Sequence, residues 1–175
     1  EIHFLCVLCV FYDKKIKKKG GHVMAKTFPK LDKTHIDFIQ KQKIFFVATA
    51  PDDIENGLIN LSPKGYDTLL VKDKNTVIYA DYPGSGNETA THVRQNKRLT
   101  IMFVSFDQDP MILRLYGKGE VLHSDSPTGK ELAERVKEKV SPNIRQLICL
   151  HIELVKTSCG YGVPFYQYEA DRNTL

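Results

Sequence analysis

An antiparallel β-barrel carrying a few short helices is the fold this sequence predicts, and three observations predict it. At least six runs rich in β-branched, aromatic and aliphatic residues are joined mostly by short polar turns. Only three stretches have helical periodicity, and none alternates with strands in the way a parallel sheet requires. No Gly-x-Gly-x-x-Gly sits between a strand and a helix, and no Walker motif occurs, so a doubly wound nucleotide-binding sheet is excluded.

The elements follow in order. Residues 1–23 differ from the rest: Ile2 to Tyr12 is a short apolar run, about half a bilayer span, and five lysines follow it within Lys14–Gly21. In a signal peptide the charge precedes the apolar stretch. The chain starts with Glu1, and Met24 opens a segment that reads like an ordinary start. Residues 1–23 are therefore expected to be a disordered extension, with a short membrane-surface anchor as the alternative, and 24–175 one domain.

Asp32 to Lys43 reads as a helix capped by Asp32 or Thr34, with Ile36, Phe38 and Ile39 on its apolar face. Ile44 to Ala50 is a buried strand ended by Pro51. Gly57 to Leu61 returns as its hairpin partner, and Ser62-Pro63-Lys64-Gly65 is expected to break it. Asp67 to Val71 and Thr76 to Asp81 are further strands around the polar turn 72–75. After Asp81 come Tyr82-Pro83-Gly84-Ser85-Gly86-Asn87-Glu88-Thr89 and a short amphipathic helix ending near Lys97. Pro and Gly stop the strand there, and Ser85 or Asn87 is placed to cap the helix. Leu99 to Phe106 and Met111 to Leu122 are strands, the second carrying Gly117 and Gly119 where a bend or bulge is expected. Ser124-Asp125-Ser126-Pro127 caps a helix over 128–140 with Leu132, Val136 and Val140 on one face, and Gln146 to Val155 is the last strand. Asp171 to Leu175 resembles the start of another capped helix, as in a chain that continues.

Composition narrows the function. The net charge is +4, but residues 1–23 supply +3 of it and residues 24–175 hold 20 Lys/Arg against 19 Asp/Glu. A near-neutral body has no electrostatic footprint for nucleic acid. Four cysteines in 175 residues do not make a disulfide scaffold, so a reducing, cytoplasmic setting is expected. Cys6-x-x-Cys9 has redox spacing, but no second motif completes a site. His35, His92, His123 and His151 form no HxxxH or HxH pair and have no acidic residue at ligand spacing. Cys149 and His151 share a strand face and read as a buried pair rather than a metal site. Ser105 and Ser158 lack a nucleophile elbow.

One constellation points to chemistry. The turn at Gly84–Thr89 presents backbone N–H groups and a helix dipole end, with Thr89, Arg94 and Arg98 nearby in sequence. If the Ser62–Gly65 strand end meets it at one barrel mouth, Lys64 and several hydroxyls converge on one anion. Near the C-terminus, Tyr161, Phe165, Tyr166 and Tyr168 around Gly160 and Gly162 suggest a lid, a dimer contact or a wall for a planar ring.

Taken together, Phe45–Pro51, Asn60–Gly65, Gly84–Thr89 with Arg94 and Asn96, Arg114–Gly117 and Ser158–Pro164 resemble the pyridoxamine 5′-phosphate oxidase-like group of FMN-binding split barrels. The resemblance spans about Lys33 to Tyr168. It implies a six-stranded Greek-key split barrel forming a homodimer, with one FMN at each of two interface clefts. It further implies that Ser62, Lys64, Tyr82, Ser85, Gly86, Asn87 and Thr89 contact phosphate or ribityl, with Arg94 a further phosphate candidate. Arg114 and Tyr116 would then meet the flavin of the other subunit. Family oxidases that act on vitamin B6 carry a C-terminal Trp and paired arginines for substrate phosphate. This chain has no Trp and only Arg172 late in the sequence, so that substrate is not expected. The reading is an FMN-dependent oxidoreductase acting on a small-molecule substrate or electron donor, with neither nucleic acid nor membrane as partner. The alternative is a non-catalytic binding or stress protein that sequesters flavin, haem or another ligand on the same barrel.

Overall fold

The computed structural model describes residues 25–84, 86–137 and 144–172. The extension 1–23, Cys6 and Cys9, the Ser85 position and the last three residues lie outside them. Among the described residues, eight strands and three helices follow one another as β1 (Lys26–Phe28), α1 (Lys33–Lys41), β2 (Phe45–Thr49), β3 (Asn60–Lys64), β4 (Leu69–Asp73), β5 (Thr76–Asp81), α2 (Glu88–Asn96), β6 (Arg98–Val104), β7 (Met111–Leu122), α3 (Pro127–Lys137) and β8 (Gln146–Cys159).

All pairings are antiparallel, in the order β3-β2-β6-β7-β8-β5-β4. β8 is the spine. β7 pairs along one of its edges from Leu147 to Cys159, while β5 and β1 share the other edge, at 146–151 and 155–157 respectively. The sheet curls on itself but leaves β3 and β4 as ends, which is a split barrel. The antiparallel barrel expected from sequence is therefore present, with eight strands instead of six.

The curl has a local cause. Between Tyr116 and Gly117 the β7–β8 register shifts by one, leaving Glu153 as the extra residue on β8. Inward-facing residues on β8 are Ile148, Leu150 and Ile152 before the bulge and Val155 after it, so the bulge changes the parity. A Cβ on Gly117 would stand 2.0 Å from the His151 carbonyl oxygen. Only glycine lets the strands approach this closely. At Gly119 a Cβ would meet Val93 of α2 at 2.9 Å, so that glycine seats the helix on the sheet.

The barrel core collects Phe45, Val47, Tyr79, Ile101, Phe103, Leu113 and Leu115, closed by Phe38 and Ile39 of α1 and by Ala90 and Val93 of α2. Ser126 caps α3, accepting from the Gly129 N–H at 3.0 Å, with Pro127 in the first helical position. The side chains of Leu132, Val136 and Val140 lie outside the described residues.

Two expectations change. Ser62-Pro63-Lys64 does not break β3 but forms its second half, paired with Val47, Phe46 and Phe45. Pro63 is tolerated because β3 is an edge strand. The chain reverses two residues later, where Tyr66 and Asp67 take left-handed φ values of 60° and 54°. β8 continues past Val155 to Cys159, so Ser158 and Cys159 belong to the sheet and not to a C-terminal loop.

Candidate functional site

The end of β3, the end of β5 and the start of α2 meet around one cavity of about 240 Å³. Six of the residues singled out from sequence line it: Ser62, Lys64, Tyr82, Gly86, Asn87 and Thr89. Ser85 lies outside the described residues. Lys64 is there because β3 runs through Pro63, which alternates Ser62 and Lys64 onto the same side of the strand.

The chemistry of the cavity rests on an unusual helix start. Asn87 is the N-cap of α2, but its side chain makes no capping bond. Its Oδ1 accepts instead from Gln146 Nε2 at 2.7 Å. The first intrahelical backbone bond runs from the Thr91 N–H to the Asn87 carbonyl. The first-turn N–H groups that a side-chain cap normally takes up are thus left to face a ligand or solvent. The carboxylate of Glu88 folds back over Gly86, within 2.2 Å of where a Cβ would be. A negative group already sits beside the positive end of the helix dipole.

Charges around the cavity are balanced through Asp81, which is buried. Arg145 Nη2 donates to its Oδ2 at 2.7 Å and Lys64 Nζ reaches its Oδ1 at 3.4 Å. Gln146 Nε2 donates to the same Oδ2 at 2.9 Å. Arg145 also donates to the Gly86 carbonyl at 3.1 Å, tying the turn to β8. Asp81 therefore orients both cations and partly neutralises them. Two polar atoms of cavity residues, Arg145 Nε and Tyr82 Oη, are buried with no hydrogen-bond partner among the described residues. Burial raises the Tyr82 phenol above its ordinary pKa, so it is a neutral donor.

A buried polar chain fixes α2 against the hairpin. Asn60 Nδ2 donates to Thr89 Oγ1 at 2.9 Å and to Thr49 Oγ1 at 3.0 Å, and the Thr49 hydroxyl meets His92 Nδ1 at 3.0 Å. The Thr89 hydroxyl is thereby held at the cavity wall.

The remaining candidates lie elsewhere. Arg94 reaches Gln146 Oε1 at 3.4 Å and does not line the cavity. Arg114 and Tyr116 are on the outer face of β7, where Arg114 Nη1 donates to Ser158 Oγ at 3.0 Å. Tyr116 stands in register with Thr100 and Leu154 on the same face. The C-terminal aromatics Tyr161, Phe165 and Tyr166 are about two-thirds exposed. Tyr166 touches Phe106, and Tyr168 lies under Lys43 Nζ, so neither forms a wall of the cavity.

Sequence reasoning did not select Asn60, Asp81, Arg145 or Gln146. Asn60 stood inside a quoted motif. Arg145 and Gln146 reach the site only through the β5–β8 register that places Gln146 opposite Asp81.

An uncapped helix start, two cations, a threonine hydroxyl and two unpaired buried donors suit a phosphate ester. The volume suits only part of a larger ligand, since small-molecule sites usually enclose about 300–1,000 Å³. The fold is that of a split barrel, with this cavity at its mouth.

Comparison with known proteins agrees. The sequence profile of the pyridoxamine 5′-phosphate oxidase family matches residues 31–159, and the chain belongs to that family. It is 39% identical over 140 residues to the pyridoxamine 5′-phosphate oxidase family protein ustO of Aspergillus flavus, covering 79% of this chain and 55% of that one. The chain thus spans about half the length of this curated relative. Among solved structures it resembles HupZ of Group A Streptococcus, at TM-score 0.58 and 18% identity over 71% of this chain and 92% of that one. HutZ, the haem storage protein of Vibrio cholerae, matches at TM-score 0.52 and 16% identity over 74% and 96%. These structural likenesses concern the fold. Among the described residues, no helix is long and apolar enough to cross a membrane.

Proposed function

We propose that this protein binds FMN at the β3–β5–α2 mouth and acts as an FMN-dependent oxidoreductase on a small molecule or electron donor. The observation that carries the reading is the uncapped N-terminus of α2, facing Lys64 and Arg145 in a member of this family. The phosphate would take the first-turn N–H groups, the Lys64 ammonium and the free Arg145 Nε. Ser62, Asn87 and Thr89 would meet phosphate or ribityl hydroxyls, with Tyr82 beside them. Bound FMN supplies the electron or hydride transfer. The residues of the chain hold the phosphate end and keep Asp81 paired.

The ring system exceeds the room at this mouth, and a second copy of the chain would supply the rest of its slot. The outer sheet face supports a homodimer. Leu61, Ala48, Thr100, Tyr116 and Leu154 lie in one cross-strand row, with Phe46, Met102 and Arg114 in the next. Leu61 is 65% and Leu154 39% exposed, and Ile54, Leu58 and Ile59 project beside β3 at 78% or more. A patch of this kind marks an interaction surface. Pairing two such faces would bring Arg114 and Tyr116 toward the partner's cofactor.

The test is a visible-absorbance titration of the purified protein with FMN, beside Lys64→Ala. Saturable binding that weakens about tenfold or more in the variant, at unchanged Tm, supports the reading. A folded protein that binds no FMN would transfer it to a barrel holding another ligand, such as haem.

A further inference from the structure

Away from the cavity, on β7 and β8, Glu120 comes together with Cys149 and His151, the pair that sequence spacing already places on one strand face. Glu120 on β7 stands directly opposite Cys149 on β8, and His151 follows two residues later on the same face. His151 Nε2 is 3.1 Å from Glu120 Oε2 and 3.7 Å from Cys149 Sγ, and one ligand atom from each residue lies within 4.8 Å of the other two. Four-coordinate zinc, with bonds of about 2.0–2.2 Å to N and O and about 2.3 Å to S, has N···O edges of about 3.4 Å and S···N edges of about 3.6 Å. These two separations each fall within a few tenths of an ångström of those edges. Bringing the Glu120 carboxylate to a centre shared with the other two needs only its half-exposed side chain to turn.

We infer that Glu120, Cys149 and His151 form a binding site for one zinc-like divalent cation, with a fourth position open to solvent. The donor set of thiolate, imidazole and carboxylate selects a borderline-soft tetrahedral ion over magnesium or calcium, which prefer oxygen ligands alone. The setting suits a surface site. Cys149 is buried with Ile78 and Leu147, while His151 and Glu120 are about half exposed, so the sulfur lies at the floor and the other two at the rim. Cys149 is three residues along β8 from Gln146, roughly 10 Å from the cavity end of the strand, and the two sites share no residue. A cation here would clip β7 to β8 beside the Gly117 bulge, where the ladder is irregular.

The probe is Co²⁺, titrated into reduced protein in which Cys6, Cys9 and Cys159 are serine, so that Cys149 is the one thiol left. The site predicts one Co²⁺ per chain, an intense thiolate charge-transfer band, the visible absorption of a four-coordinate ion, and displacement by Zn²⁺. Cys149→Ser should abolish the band. Because Cys149 is buried, His151→Ala serves as the variant that leaves folding intact, and it should weaken Co²⁺ binding at least about tenfold. The inference is overturned by the absence of a saturable thiolate band. A band that survives unchanged in His151→Ala overturns it equally.

Discussion

The two nine-residue helices α1 and α2 begin in opposite ways. At α1, Asp32 Oδ1 accepts from the His35 N–H at 2.9 Å, and His35 Nδ1 accepts from the Asp32 N–H at 3.2 Å. The start of that helix is sealed by its own side chains, and Phe28 packs edge-on against His35 to cover it. At α2 the cap residue Asn87 is present, yet its oxygen is turned to Gln146. The same local rule, a small polar residue before a helix, thus gives a structural end in one place and an open donor set in the other. What decides is the tertiary neighbour: β8 presents Gln146 at the α2 start, and among the described residues nothing equivalent competes at Asp32. The sealed start of α1 serves stability, while the open start of α2, beside Lys64 and Arg145, is the one we propose for a ligand.

The largest effect should come from removing the charge that holds the open end together. Asp81→Asn leaves Lys64 and Arg145 without their carboxylate and should lower stability by about 2 kcal/mol, discounted because both cations are about a quarter exposed. The same change frees both cations, so affinity for phosphate or FMN should rise several-fold. Denaturant unfolding and ligand titration of one sample would show the two signs, and a fall in both would break the contrast. Next in size, Asp32→Ala should cost about 1 kcal/mol of stability through loss of the cap and leave ligand affinity unaltered, checked by the same pair of measurements. The smallest effect concerns Glu88, whose carboxylate occupies the anion's side of the α2 start. Glu88→Gln should cost roughly 0.5 kcal/mol of helix stability and strengthen phosphate binding a few-fold. Unchanged phosphate affinity would mean that the carboxylate does not compete there.

Much of the fold was legible in the sequence because its elements are locally specified. Apolar runs bounded by Pro51, by the 72–75 turn and by Asp107–Pro110 locate strands without reference to the rest of the chain. The strand through Ser62-Pro63-Lys64 was not legible, because Pro63 signals a break unless the strand is known to lie at a sheet edge. Gly84–Thr89 and Lys64 were readable as neighbours at one barrel mouth from the turn chemistry and the two strand ends. Asp81, Arg145 and Gln146 were not, since only the β5–β8 register joins positions 81 and 146. The Glu120–Cys149–His151 cluster failed to appear for the same reason: the expected absence of an acidic ligand considered neighbours along the chain, while Glu120 is a neighbour across the ladder. Ser85 or Asn87 was expected to cap α2; the Asn87 side chain does not, and the competing amide of Gln146 is again a cross-strand contribution.

The central claim is that the open start of α2 is built for a phosphate, and comparing FMN with riboflavin tests it most directly, since the two differ only by that group. Equilibrium titration of the same protein with both flavins should give FMN a dissociation constant about 100-fold lower, the worth of two charge-assisted hydrogen bonds. The gap should shrink markedly in Lys64→Ala. Equal affinities for FMN and riboflavin would contradict the account.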